Sequence, residues 1–270
     1  MSVPATHTPT VGPMLRTWRQ RRHLSQLDLA NLAGVTARHL SFVETGRARP
    51  SREMVLHLAE TLEVPLRDRN ALLLAAGHAP TYPQSDLASP SFETVRVALD
   101  QVLAGHEPYP AIVVDRQWNL VSSNAAAAIL VEDVAPSLLE PPVNTLRVAL
   151  HPDGLAPRIR NLDQWSTHIL DRLRRQQLLT GEPLFGELYD ELTGLLRKAG
   201  VEPVHGGGEA PPDLATPMLL ESRRGPLALI TMIATFGTPL DITLAELSLE
   251  TFLPLDADTV ATLNRYAADG

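Results

Sequence analysis

The sequence predicts two domains of different class, an all-α domain of five short helices followed by an α+β domain around one antiparallel sheet. Three observations predict it. Apolar residues recur at helical spacing over 12–78, between cap-forming Ser or Thr and glycines. A polar, proline-bearing stretch, HAPTYPQSDLASPS, follows and reads as a linker over 79–91. Beyond it, over 92–268, β-branched and leucine-rich runs punctuated by glycine and proline mix with helical patterns, and the runs gather in the last third. With 270 residues and 44% hydrophobic content, the chain is long enough for two buried cores.

The elements follow in order. Residues 1–11 are expected to be a flexible N-terminus. Met14, Leu15 and Trp18 mark one side of a first helix, whose remaining surface carries Arg16, Arg19, Arg21 and Arg22. Ser25 is placed to cap a second helix that ends at Gly34. Thr36 caps a third, which stops near Gly46. Ser51 caps a fourth, with Met54, Val55, Leu58 and Leu62 near helical spacing. Pro65 opens a fifth that ends at Gly77. After the linker comes the helical run SFETVRVALDQVLAG. Ile112–Val114 is then a short strand, Asp115–Gln117 a turn, and Asn119–Ser123 a returning strand. AAAAILVEDV reads as helical, as do 158–180 and 184–199. The Gly/Pro-rich stretch at about 201–217 reads as a mobile loop. Three strands are expected in MLLESRR, PLALITMIATFG and AELSLETFLPL, and a closing helix in DADTVATLNRYAAD, with Asp256 or Asp258 near its cap.

Composition narrows the function. Cysteine is absent, which excludes disulfides, thiol nucleophiles and thiolate metal sites. No apolar run approaches the roughly 20 residues that span a bilayer, and no basic-then-apolar leader opens the chain, so no membrane partner and a cytoplasmic location are expected. The net charge of −8 is uneven: residues 1–79 carry +4 and residues 80–270 carry −12. A basic module joined to an acidic one suits nucleic-acid binding. No G-x-S-x-G, H-E-x-x-H or P-loop occurs, and the nine histidines are scattered. Hence no catalytic residue, no metal site and no cofactor are expected, beyond a bound small apolar ligand.

The stretch from Gln26 to Thr45 carries the clearest chemistry. Ala30 is small where two helices would cross, and Gly34 tolerates the positive φ of a tight turn. Leu29, Val35, Leu40 and Val43 fix the second helix of this pair to the first. Thr36, Ala37, Arg38, His39, Ser41 and Phe42 are left pointing outward, the arrangement of a helix that enters the major groove.

SQLDLANLAGVTARHLSFVETGRARPS resembles the helix-turn-helix domain of the Xre/lambda-repressor-like family, in both its S-Q-x-x-L-A-x-x-A-G-V entry and its E-x-G-x-x-x-P-S exit. The resemblance covers 12–78. It implies that Gln26 holds a phosphate, and that Thr36, Ala37, Arg38 and Ser41 face bases or the nearby backbone. Arg38 suits guanine, since its fork grips O6 and N7 together. His39 and Phe42 stay ambiguous between packing and DNA contact. Arg47 and Arg49 would reach phosphates, and Glu44 would pair with an arginine inside the domain. NTLRVALHPDGLAPRIRNLDQW and TFGTPLDITLAELSLETFLPLDADTVATLNRY resemble the MmyB-like ligand-binding domain, over about 95–268. That resemblance implies a PAS-like fold and a small, apolar or fatty-acid-like ligand.

Within the second domain, Trp118 and Asn124 after the hairpin are candidate cavity residues. Arg147 and His151, four apart, would share a helix face and meet a carboxylate head group. Met218, Leu220, Leu227, Leu229, Thr231, Ile233, Thr235 and Phe236 alternate as an apolar sheet face should. The expected protein is a one-component transcription regulator that binds a double-stranded DNA operator as a homodimer. A small-molecule effector would shift its reading heads. A second reading joins a protein-interaction module to a small-molecule binder or an enzyme. It is motivated by the −12 half, which resists approach to DNA, and salt titration separates the two.

Overall fold

The computed structural model describes residues 10–202 and 216–269. The expected N-terminal tail falls outside these up to residue 9, and the expected loop at 201–217 does so over 203–215. Val11, assigned to the tail by sequence, already opens the first helix. The helices α1 to α5 form one compact unit, and the sheet with the later helices forms another.

The first unit consists of α1 (Val11–Arg21), α2 (Gln26–Leu32), α3 (Ala37–Glu44), α4 (Arg52–Thr61) and α5 (Leu66–Ala75). The caps lie where the hydroxyls are. Ser25 and Asp28 form a reciprocal capping box on α2, and Thr36 and Ser51 accept backbone N–H bonds on α3 and α4. Every one of the five helices closes on a left-handed residue with a six-to-one backbone bond behind it. At Gly34, Gly46 and Gly77 glycine supplies the positive φ, whereas α1 and α4 close on His23 (φ 55°) and Glu63 (φ 50°). Leu15, Trp18, Leu29, Ala30, Leu40, Val43, Val55, Leu58, Leu72 and Leu73 form the core.

In the second unit, β1 (Ala111–Val114), β2 (Leu120–Ser123), β3 (Met218–Ser222), β4 (Gly225–Thr235) and β5 (Ser248–Pro254) make one antiparallel sheet, in the order β2-β1-β5-β4-β3. Between β2 and β3 lie α7 (Thr145–Leu150), α8 (Leu162–Thr180) and α9 (Pro183–Lys198). The helix α6 (Glu93–Gly105) precedes β1, α10 (Ile242–Ala245) precedes β5, and α11 (Ala257–Asp269) follows it. The helix expected across AAAAILVEDV is only a 3₁₀ turn, Ala125–Ile129, capped by Asn124, and the one expected from 158 begins at Leu162. Asp256, not Asp258, caps α11, accepting the Thr259 N–H at 2.7 Å.

Register assigns the sheet's faces. Glu250 stands opposite Ile112 of β1 and Ile233 of β4, and Phe252 opposite Thr231. With period-two alternation, Ile112, Leu227, Leu229 and Phe252 face a core shared with Leu146, Val148, Trp165, Ile169 and Leu192. The opposite face of β1 packs Ala111 and Val113 against Leu99 and Leu103 of α6. The expected apolar face ends halfway along β4: Ile233 and Phe236 are 39% and 38% exposed.

Candidate nucleic-acid interface and ligand cavity

The helix α3 is held by a buried ion pair. Glu44, at its last turn, accepts from Arg19 Nε at 2.7 Å, Arg19 Nη2 at 3.0 Å and Gln26 Nε2 at 2.8 Å. Arg19 Nη1 also donates to the Leu24 carbonyl at 2.7 Å. The two side chains are only 9% and 1% exposed. One acid thereby ties α1, the start of α2 and the end of α3 together. Burial would raise the Glu44 carboxyl, but the hydrogen bonds from Arg19 and Gln26, with the charges of Arg19 and Arg16, hold it below the usual carboxylate range.

This bracing leaves the outer side of α3 open. Thr36 and Arg38 are exposed, and Ala37, His39, Ser41 and Phe42 are half-buried. Thr36 Oγ1 accepts the His39 N–H at 3.2 Å, so its hydroxyl is engaged in capping. The Arg38 guanidinium lies over the Phe42 ring, 5.4 Å from its centroid, which limits its rotamers and keeps its fork outward. Arg47 is exposed just past the Gly46 turn. Two of the expected phosphate contacts also bond within the unit. Gln26 donates one N–H of its amide to Glu44. Arg49 Nε donates to the Ala76 carbonyl at 3.0 Å, at the end of α5.

In the second unit, β1, β5, α7, α8 and the turn after β2 enclose a cavity of about 370 Å³. Its wall is predominantly apolar, with Ile112, Leu130, Val148, Trp165, Ile169 and Phe252, and its polar side chains are Ser123, Asn124, Thr145, Arg172 and Glu250. Asn124 has no capacity left for a ligand. Its Oδ1 accepts the N–H groups of Ala111 and Ala127, and its Nδ2 donates to the carbonyls of Tyr109 and Leu103. Thr145 donates to the Trp118 carbonyl at 3.1 Å.

Arg172 and Glu250 are the residues that sequence reading missed. Arg172 Nη1 lies 3.3 Å from Glu250 Oε1, and the side chains are 13% and 7% exposed. Arg172 Nε and Nη2 are fully buried with no hydrogen-bond partner among the described residues. Burial lowers the Arg172 guanidinium from its usual value, against the pull of Glu250. Trp118 lies behind it rather than on the cavity wall. Its ring sits 4.1 Å from the guanidinium carbon, and its Nε1 donates to Gln176 Oε1 at 3.1 Å, one turn further along α8. Trp118 holds a left-handed backbone, φ 66°, in a turn where Asp115 accepts the N–H groups of Gln117 and Asn119.

The Arg147 and His151 pairing is corrected. The helix α7 stops at Leu150, and His151 is extended, with ψ 142°. Pro152 follows it, and the residue before a proline is pushed out of the helical region. Arg147 instead forms a two-pronged pair with Glu191 at 2.7 and 2.9 Å, and His151 Nδ1 accepts the Asp153 N–H. Neither residue lines the cavity. No cluster of metal-ligating side chains occurs among the described residues, and no helix among them is long and apolar enough to cross a membrane.

Residues 11–72 match the family model of a helix-turn-helix domain. Residues 95–265 match that of the MmyB-like transcription regulator ligand binding domain. No curated protein matches the chain. The second match spans more than half of the sequence, and the cavity and the braced helix α3 lie within the two matched regions: the chain belongs to the MmyB-like transcription regulators, DNA-binding proteins with a ligand-binding domain.

Proposed function

We propose that this regulator reads a roughly palindromic operator as a homodimer, and that its cavity receives an amphipathic acid, an apolar chain ending in a carboxylate. Arg172, a cation in the wall of a predominantly apolar cavity, carries the ligand reading. A guanidinium pairs with a carboxylate by charge and directed hydrogen bonds, and Arg172 is the basic side chain among the cavity's lining residues. A carboxylate pairs with that cation while its chain covers the apolar wall. Arg38 with Ala37 and Ser41 reads base edges, and Arg47 holds phosphate. Two copies place their α3 helices about 34 Å apart on one side of the duplex. Ligand binding shifts the balance between arrangements of the two heads. The role is that of a binding protein in the compartment that holds its DNA, not of a catalyst.

Native mass spectrometry of freshly purified protein tests both halves. The expected species is a dimer carrying an acidic amphiphile of a few hundred daltons by estimate, absent from Arg172→Met. A monomer on operator DNA, or retention of the same acid by Arg172→Met, would overturn the corresponding half.

A further inference from the structure

Arg172 and Glu250 together give the cavity wall no net charge, and this constrains what can be added to it. Glu250 sits on the central strand β5, between Ile112 and Ile233 on its neighbours. Its carboxylate faces one edge of the guanidinium while the other edge stays without an acceptor. Arg172 and Glu250 both line the cavity, so an acid whose carboxyl group pairs with Arg172 places two carboxyl groups on one cation. From α8, His168 and Arg175 lie a turn to either side of Arg172, and Asp171 acts on His168. Burial, with Arg172 and Arg175, lowers the His168 imidazole, so it adds no compensating charge near neutral pH. From β1 and β4 the neighbours of Glu250 are isoleucines. An uncompensated buried charge costs several kcal/mol, and two carboxylates in one such site resolve this by sharing a proton.

Resting on the ligand reading above, we infer that the cavity binds its acid together with one proton, shared between the ligand's carboxyl group and Glu250. Glu250 is thus the residue that sets specificity for the acid in its protonated form. The balance is simple. One carboxylate and one solvent proton enter, one O–H bond forms on either carboxyl group, and Arg172 keeps its charge. Occupancy then depends on pH as well as on ligand concentration, and an ester of the same chain lacks that dependence.

Calorimetric titration of the whole chain with decanoic acid, in buffers of different ionisation enthalpy, tests this. The expected uptake is about one proton per site, with affinity falling about tenfold per pH unit above the free acid's own titration. Methyl decanoate should bind without pH dependence. Glu250→Gln should abolish the uptake and flatten the profile while the acid still binds, and His168→Gln should change neither. If Glu250→Gln does not fold, the unsubstituted chain still decides: no uptake and a flat profile overturn the inference while leaving the cavity a receptor for acids. Uptake lost in His168→Gln and kept in Glu250→Gln overturns the assignment to Glu250. If neither compound binds at any pH, the ligand reading itself fails, and this inference with it.

Discussion

Replacing Arg19 by Met should nearly unfold the DNA-binding unit without touching its DNA-facing surface. The substitution keeps the aliphatic stem and removes three donors, two on Glu44 and one on the Leu24 carbonyl. Glu44, 1% exposed, is left with Gln26 as its hydrogen-bond partner. Removing one member of a buried pair costs about 3–5 kcal/mol, because the other charge stays behind. A unit of this length has about 3–9 kcal/mol in all, at roughly 0.05–0.15 per residue, so the loss consumes most of it. Hydrogen exchange on the full chain is the suitable assay, since it resolves the opening of α1 and α3 apart from the second unit. Protection there should fall by roughly two to four powers of ten. The double variant Arg19→Met/Glu44→Leu should regain most of it, since a well-packed apolar pair replaces a buried ionic one at little net cost. A loss under about tenfold in the single variant, or a double variant as unstable as the single, would refute the reasoning. The pair also sets acid stability. Because the folded state holds the Glu44 carboxyl low, its contribution is complete above the ordinary carboxylate range and is lost as pH falls through the lowered value. Arg19→Met should therefore flatten this dependence, the variant's deficit being largest near neutral pH and shrinking as Glu44 takes up a proton.

Three further outcomes follow from the geometry. Arg38→Ala should cost about 1–3 kcal/mol at one base position of the operator and relax discrimination there, read by competition between single-base variants of the site; a uniform loss over all sequences would make Arg38 a phosphate contact instead. Arg47→Ala should weaken every DNA sequence alike and reduce the slope of log affinity against log salt by about 1, whereas Arg49→Ala, which loses the Ala76 carbonyl, should lower the unit's stability and leave that slope unchanged. Glu63→Gly should stabilise the first unit by about 0.5–1 kcal/mol in the same exchange experiment, since glycine adopts the left-handed closure of α4 without the Cβ clash; equal or lower protection would count against strain at that residue.

The first unit was legible because its signals are local. Ser25, Thr36 and Ser51 cap where a hydroxyl precedes an apolar period, and Gly34, Gly46 and Gly77 close where the chain must turn left. His23 and Glu63 adopt the same closure with no glycine to announce it, because packing of the flanking helices overrides the local preference. The strands were legible for the same local reason. The proposed ligand site was not, since Arg172 and Glu250 are 78 residues apart and each looks like an ordinary surface charge. A weaker signal did exist. Trp165, Ile169 and Arg172 continue one helical stripe, and Glu250 shares its strand face with Phe252, so both charges occupy positions where the period calls for an apolar residue. Arg147 and His151 misled because their spacing presumes a helix that Pro152 ends.

The bracing of α3 from behind also separates two kinds of evolutionary change. Glu44 secures the helix from its inner side, and Thr36 secures its start, so both are bound to the fold. Ala37 ends at a methyl group and Arg38 at a guanidinium that faces solvent above Phe42. With 37 and 38 at base edges as proposed, exchange there would redirect the protein to a new operator in single steps, each with the domain still folded. Exchange at 36 or 44 must first survive a loss of stability. Duplicated copies of such a gene would diverge in target faster than in shape.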